Sequence, residues 1–355
     1  MHHTRSLGSS DRQSQAKRPI PHLGERVRTR ELVAAGVRTG ALVEAYTCCG
    51  KFLSRNNSAA YPAARALLYP AIRPYYDAIL AFCGYADELL DDEATPISER
   101  EAAFDAWTAA FFDGSYEPDT DGAHSLDGRQ GRLISRAFRH VIDTYGIELE
   151  SVREFLHTMR GDLHVTSYAT YADLNGYMSG ISGVHAGWMN ALLETRHDDA
   201  QRIASSLGYG VYLLDFLADL REDLELGRVY LPTEDLERFG LDRAGFEQIV
   251  SRGVMTPSLR ELVQFETVRV GQYFETADAW WRHVHPSSRE LPRQYLALGR
   301  LSLQQLIRSD YDVFRNRPRG WLLGTARARA GTGVSYLRAR RDHRRHARGS
   351  AAVPT

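Results

Sequence analysis

The stretch Asp215-Phe216-Leu217-Ala218-Asp219-Leu220-Arg221-Glu222-Asp223 sets carboxylates at 215, 219 and 223 inside an otherwise apolar segment. An earlier run, Asp87-Glu88-Leu89-Leu90-Asp91-Asp92, repeats the four-residue spacing at Asp87 and Asp91. On an α-helix, residues four apart share a face, and like charges there destabilise by about 0.2–0.5 kcal/mol per pair. A solvated acidic face is the commoner meaning of either run alone. The neighbours argue otherwise: Leu80, Phe82, Leu89 and Leu90 surround the first run, and Tyr209, Leu213, Leu214, Phe216 and Leu217 the second. A helix apolar over most of its circumference is buried, and buried carboxylates need a charge partner or a metal. A hard cation such as Mg²⁺ takes one or two carboxylates and completes its shell with water and substrate phosphate. Two such stripes sharing a cation form the pattern of a diphosphate-handling site.

Outward from these runs the periodicity is helical. The segment from Ala60 to Asp92, interrupted by Pro70 and Pro74, reads as two helices or one kinked helix. Glu101 to Phe112 is amphipathic, and the Asp- and Gly-rich stretch from Asp113 to Gly131 reads as an exposed loop. Further helices are expected at 132–145, 148–165, 172–195, 199–224, 242–253, 257–285 and 290–315. Alternating strand patterns are scarce and no short repeat is evident, so the chain reads as all-α. The expected organisation is a disordered segment 1–27, one catalytic domain 28–325, and a basic, disordered tail 326–355.

Composition excludes several classes. The 355 residues are 43% hydrophobic and 25% charged, with a net charge of −1 that gives no pointer to nucleic acid. Cys48, Cys49 and Cys83 make no disulfide framework and no metal-ligand spacing, which fits a reducing cytoplasm. No apolar run reaches membrane-span length, and no signal peptide is evident after Met1. The tail carries Arg338, Arg340, Arg341, Arg344, Arg345 and Arg348. Such a segment can hold a protein peripherally at an anionic membrane; a merely solubilising tail is the alternative.

At the acidic runs the sequence resembles the squalene/phytoene synthase family. The family's Phe-Cys-Arg-x-x-Asp-Asp-x-x-Asp is matched by Phe82-Cys83-Gly84-Tyr85-Ala86-Asp87-Glu88-Leu89-Leu90-Asp91. Its Gln-x-x-Asn-x-x-Arg-Asp-x-x-Glu-Asp is similar to Tyr212 through Asp223, and Gly227-Arg228-Val229-Tyr230-Leu231-Pro232 follows as in the family. The central Tyr-Cys-x-x-Val-Ala-Gly looks like Tyr177-Met178-Ser179-Gly180-Ile181-Ser182-Gly183. The resemblance implies an isoprenoid-synthase helical bundle with a central cavity, and Asp87, Asp91, Asp219 and Asp223 holding Mg²⁺ on an allylic prenyl diphosphate. It places Asp215 and Arg228 at the diphosphate and Tyr177 at the reacting centre; Lys51 is added as a further diphosphate candidate and Tyr212 as a further residue of the reacting centre.

Departures accompany the matches. Gly84 stands for the first motif's Arg, Tyr212 and Ala218 for the Gln and Arg of the second, and Val184-His185-Ala186 for Thr-Val-Gly. Lost arginines remove bidentate phosphate donors, which Lys51 or Arg55 could replace only in part. The expectation is therefore one diphosphate: transfer of its prenyl group to a small-molecule, aromatic acceptor in specialised metabolism. Gly84 is taken to open room for that acceptor. The alternatives are a head-to-head phytoene or squalene synthase and a terpene cyclase. More remotely, Glu154 with His157 and Glu194 with His197 form two Glu-x-x-His pairs of the kind found in di-iron oxidases.

Overall fold

A computed structural model describes residues 29–56, 60–91, 94–114, 126–315 and 326–351; the segment 1–27 and Asp92 lie outside them. The described residues fold as helices with no strand, and one isolated parallel bridge ties Ser167 to Val229. In chain order the helices are α1 (Gly40–Asn56), α2 (Ala60–Leu67), α3 (Arg73–Asp91), α4 (Ile97–Asp113), α5 (Leu126–Tyr145) and α6 (Leu149–Asp162). They continue as α7 (Tyr171–Met178), α8 (Val184–Leu192), α9 (Ala200–Ala218), α10 (Leu220–Glu225), α11 (Thr233–Arg238) and α12 (Arg243–Arg252). The last are α13 (Pro257–Ala277), α14 (Trp280–His283), α15 (Glu290–Arg308) and α16 (Ala326–Ala351).

The proline pair works as its chemistry dictates. A 3₁₀ turn at Pro70–Ile72 ends the α2 connection, and Pro74 sits in the first turn of α3, where a missing N–H costs nothing. A buried ionic knot fixes that corner. Arg65 pairs with Glu31 at 2.6 Å and Asp77 at 2.9 Å, Arg73 pairs with Glu31 at 2.7 Å, and Tyr61 donates to Asp77 at 2.7 Å.

Helix α9 runs along α13 on one side, while α1, α3 and α5 pack together on the other. Phe82 of α3 stacks on Phe138 at 4.2 Å, and Trp188 of α8 meets Phe138 at 5.0 Å and Phe155 at 5.1 Å. These rings form the centre of the main apolar core. A second cluster, around Leu217, Leu236, Phe246 and Leu262, anchors the segment after the second acidic run.

Three expectations change. The loop assigned to 113–131 ends sooner, because α5 already begins at Leu126. The helix expected over 199–224 breaks at Asp219, whose φ of −104° and ψ of 16° separate α9 from α10. Backbone bonds from Asp219 N to Asp215 O and from Asp223 N to Asp219 O, both 2.9 Å, nevertheless preserve the i, i+4 register of the acidic stripe. The segment expected as a disordered tail forms α16, which packs on α15 and α2. Its contact stripe is polar, so hydropathy does not reveal it. Buried Ser335 donates to Gln294, buried Asp342 pairs with Arg289 at 2.9 Å, and His346 meets Tyr69 and His285, both at 4.8 Å. Leu337, the last large apolar residue among the described ones, instead points outward at 67% exposure.

Candidate active site

The two acidic runs converge through a third carboxylate. A cleft of about 100 Å³ is lined by Asp87, Leu90 and Asp91 of α3, Met159 and Asp162 of α6, Leu163, Tyr177, Ile181, Tyr212 and Arg228. Asp162 lies at the centre of its electrostatics. Its Oδ2 accepts from the Tyr230 hydroxyl at 3.0 Å and from Arg228 Nη1 at 3.4 Å, and Tyr177 contributes a further hydrogen bond. Its Oδ1 is buried without a partner among the described residues.

Carboxylate crowding leaves its mark on acidity. Asp87 opens onto solvent at the rim yet is walled in by protein, and this desolvation pushes it up to about 6, with Asp91 and then Asp162 adding to the rise. Asp223 is pushed up to about 7 by burial and then by Asp219; Arg228 opposes this, and Glu222 and Asp162 reinforce it. Asp162 thus acts on both runs, which places them around one site. Burial also raises Asp162 itself, against the pull of Arg228 and the Tyr230 hydroxyl. A set of carboxylates that resists full ionisation, with one oxygen left unpaired, has the chemistry of a site that gains from a cation.

No group of three His, Cys, Asp or Glu among the described residues forms a ready metal set. These carboxylates would therefore hold Mg²⁺ jointly with phosphate oxygens, as the hard ion commonly requires. The expected residues fall as follows. Asp87, Asp91, Tyr177, Tyr212 and Arg228 line the cleft; Asp223 couples to it through Asp162, and Asp219 couples to Asp223. Asp215 lies within electrostatic range of Tyr212 and Tyr295. Lys51 is exposed on α1 and is not among the cleft residues. Asp87, Glu88 and Asp91 of the first run are exposed at the rim rather than buried, because α3 turns its apolar face inward and its end toward the opening.

An aromatic wall adjoins the carboxylates. Phe216 stacks on Tyr230 at 4.3 Å and Tyr177 lies 5.8 Å from Tyr230, with Tyr212 5.9 Å from Phe216. Tyr85 and Trp188 pack instead in the core.

The central motif takes an unusual backbone. Ser179–Gly183 forms a π turn between α7 and α8, a feature frequent at functional sites. Its close packing needs glycine: a Cβ on Gly180 would collide with Thr158 of α6, and one on Gly208 of α9 with Ser182. At Gly84 the expectation of open room fails, since a Cβ there would sit 3.3 Å from the Phe52 ring, which fills that side. The Glu-x-x-His pairs give no bundle centre. Glu154, His157, Glu194 and His197 are all exposed, and Glu194 lies beyond the end of α8 with φ 50°.

An all-α bundle with paired Asp-bearing helices at the mouth of an aromatic cleft defines an isoprenoid-synthase type of enzyme. The chain belongs to the squalene/phytoene synthase family, whose model matches residues 54–323. It is 28% identical over 288 residues to the 15-cis-phytoene synthase of Synechocystis sp., covering 77% of this chain and 80% of that one. To the 15-cis-phytoene synthase of Synechococcus elongatus it is 29% identical over 294 residues, covering 78% and 88%. Its fold matches a dehydrosqualene synthase solved with ligand (TM-score 0.68, 20% identity, 84% of this chain and 98% of that one). Squalene synthase HpnC from Alicyclobacillus acidocaldarius is similar in fold (TM-score 0.66, 20% identity, 79% and 99%). The protein is thus an enzyme of the prenyltransferase type.

Proposed function

We propose that the enzyme joins two prenyl diphosphates head to head, a reading supported by its similarity to proteins named 15-cis-phytoene synthase. One carbon–carbon linkage forms between the two chains, each loses pyrophosphate, and two protons leave, one as the chains first join and one from the final cation. The observation that carries the proposal is the position of Asp162, which draws Asp87 and Asp223 of the two runs into one electrostatic unit beside the aromatic wall. Bound Mg²⁺, held by Asp87, Asp91, Asp219 and Asp223 with Asp162, would supply charge neutralisation for the departing pyrophosphate. Arg228 is the cleft's guanidinium for phosphate, and Tyr177 and Tyr212 present ring faces to a developing cation.

Transfer of one prenyl group to an aromatic acceptor is the second reading. It keeps one observation in its favour: Gly84 and Ala218 carry no donor, and Tyr212 stands where the family has Gln. Its other support, room at Gly84, is removed by Phe52. Incubation with Mg²⁺ and farnesyl or geranylgeranyl diphosphate alone separates the two. A head-to-head hydrocarbon is expected; silence until an aromatic acceptor is added, or a cyclic terpene, would overturn the proposal.

We also infer a peripheral role for α16. No helix among the described residues is long and apolar enough to cross a membrane. Arg340, Arg341, Arg344, Arg345 and Arg348 are exposed on α16, while its one acidic residue, Asp342, is buried. That face suits an anionic lipid surface from which a prenyl substrate would arrive.

A further inference from the structure

Two chain segments that supply the cleft lie side by side. One, 166–171, leads into α7 and so to Tyr177; the other, 229–235, follows Arg228, carries Tyr230 and enters α11. Backbone bonds zip them together, from Val229 N to Thr166 O at 3.0 Å, Thr233 N to Tyr168 O at 2.9 Å and Glu234 N to Ala169 O at 3.1 Å. Where the segments part to become helices, the Glu234 carboxylate accepts from the Tyr171 N–H at 2.6 Å. Arg269 of α13 meets both at that junction.

Arg269 holds one segment by charge and the other by its ring. Its guanidinium fork donates to the two oxygens of Asp235 on α11, at 2.5 and 3.2 Å, and to Glu266 on α13 at 2.8 Å. Both carboxylates are buried. On the other side, its Cζ lies 3.9 Å from the centre of the Tyr171 ring. The Tyr171 hydroxyl shares a hydrogen bond of 2.8 Å with that of Tyr273, and Tyr273 reaches Asn175, one turn along α7, at 3.3 Å. Tyr177 lies about 9 Å of helix rise beyond Tyr171. A buried ion cluster is a poor source of stability, since apolar replacements often match it. What the two carboxylates do supply is direction: they fix the plane of the fork, and with it the ring held against the guanidinium.

We propose that Arg269 is a positioning residue for the cleft: it fixes Tyr171 against α11 and, through α7, sets how Tyr177 presents its ring beside Arg228 and Tyr230. This rests on the proposed function only in giving Tyr177 a developing cation to face. Arg269 is not among the cleft residues, so its removal takes no contact from phosphate or metal.

The test uses a variant that strands no charge, Arg269→Met combined with Asp235→Asn and Glu266→Gln. Tyr171→Leu removes the ring instead, while Tyr171→Phe keeps the ring and loses only its hydroxyl. Thermal unfolding identifies any variant that fails to fold, and the Tyr171 pair stands if the triple variant does. Single-turnover pyrophosphate release from farnesyl or geranylgeranyl diphosphate in Mg²⁺ should fall about 10–100-fold in the triple variant and in Tyr171→Leu. Affinity for the non-ionisable thiodiphosphate analogue should stay within about twofold, the split expected when only the reacting geometry is lost. Tyr171→Phe should keep its rate within about threefold, because its ring still meets the guanidinium. A readout independent of activity is the fluorine spectrum of 3-fluorotyrosine placed at position 177 alone, whose line should shift or broaden in the triple variant and in Tyr171→Leu. An unchanged fluorine line or rate in the folded variants would overturn the proposal. So would a loss of affinity equal to the loss of rate, or a Tyr171→Phe defect as large as that of Tyr171→Leu. If the wild-type protein releases no pyrophosphate from either substrate alone, the head-to-head reading fails and the fluorine line by itself decides this inference.

Discussion

Replacing Asp223 by Asn should stabilise the metal-free protein, although the residue belongs to the proposed metal site. Folding raises this carboxyl from about 3.8 to about 7. The folded state therefore binds more protons than the unfolded chain between those values, so stability falls as pH rises through that window and the cost is complete above it. A shift of about three units corresponds to about 4 kcal/mol. Asp223 is partly open to solvent, and screening reduces the figure to about 1–2 kcal/mol. For a chain of 355 residues that is roughly 1–3 °C in melting temperature. The assay is thermal unfolding of wild-type and Asp223→Asn protein in EDTA at pH 8 and pH 5.5. The variant should melt higher at pH 8, with about half of the gain lost at pH 5.5. With Mg²⁺ and pyrophosphate present the order should reverse, because the wild type alone gains the ligand's full stabilisation. A variant that melts lower than wild type in EDTA at pH 8 would refute the account of a crowded, under-compensated carboxylate cluster.

Asp162→Asn should lower pyrophosphate release by about 10–100-fold or more with the helical circular dichroism unchanged; wild-type turnover would remove Asp162 from the site. Arg65→Ala should cost about 3–5 kcal/mol in chemical denaturation, since it leaves buried Asp77 without its cation and Glu31 with Arg73 alone; a loss under 1 kcal/mol would contradict that picture. Arg344→Glu with Arg345→Glu should weaken co-sedimentation with phosphatidylglycerol vesicles by more than tenfold and leave neutral phosphatidylcholine vesicles unaffected. Equal binding by wild type and variant would dismiss α16 as the contact.

The acidic runs were legible because their signal is local: three i, i+4 pairs of carboxylates in apolar surroundings on two helical stretches. Asp162 was not, because it stands alone at the end of α6 and gains its meaning only from Tyr230, Arg228 and Asp91, which the fold brings to it. A lone carboxylate at a helix end gives pattern analysis nothing to repeat. Gly84 misled for the opposite reason, since a missing side chain reads as space until the Phe52 ring is found in it. The C-terminal helix escaped because its seam is built from Ser335, Asp342 and His346, and a composition that looks solvated is in fact docked. Kinking at Pro70 and Pro74 and the all-helical character followed from backbone chemistry alone.

The π turn fixes the length of the chain between Tyr177 and Leu192 more tightly than its composition. Deleting one residue from Ser179–Gly183 would let the backbone relax to an ordinary helix, and everything downstream would swing by about 100°. Trp188 would leave the rings of Phe82, Phe138 and Phe155, and Gly183 would no longer lie opposite Tyr209. Side chains along this helix can be exchanged one by one, as the His at 185 already illustrates. A gap or an extra residue cannot be absorbed there. When sequences of this kind are aligned or grafted, residues 177–192 are the interval across which the residue count must be kept.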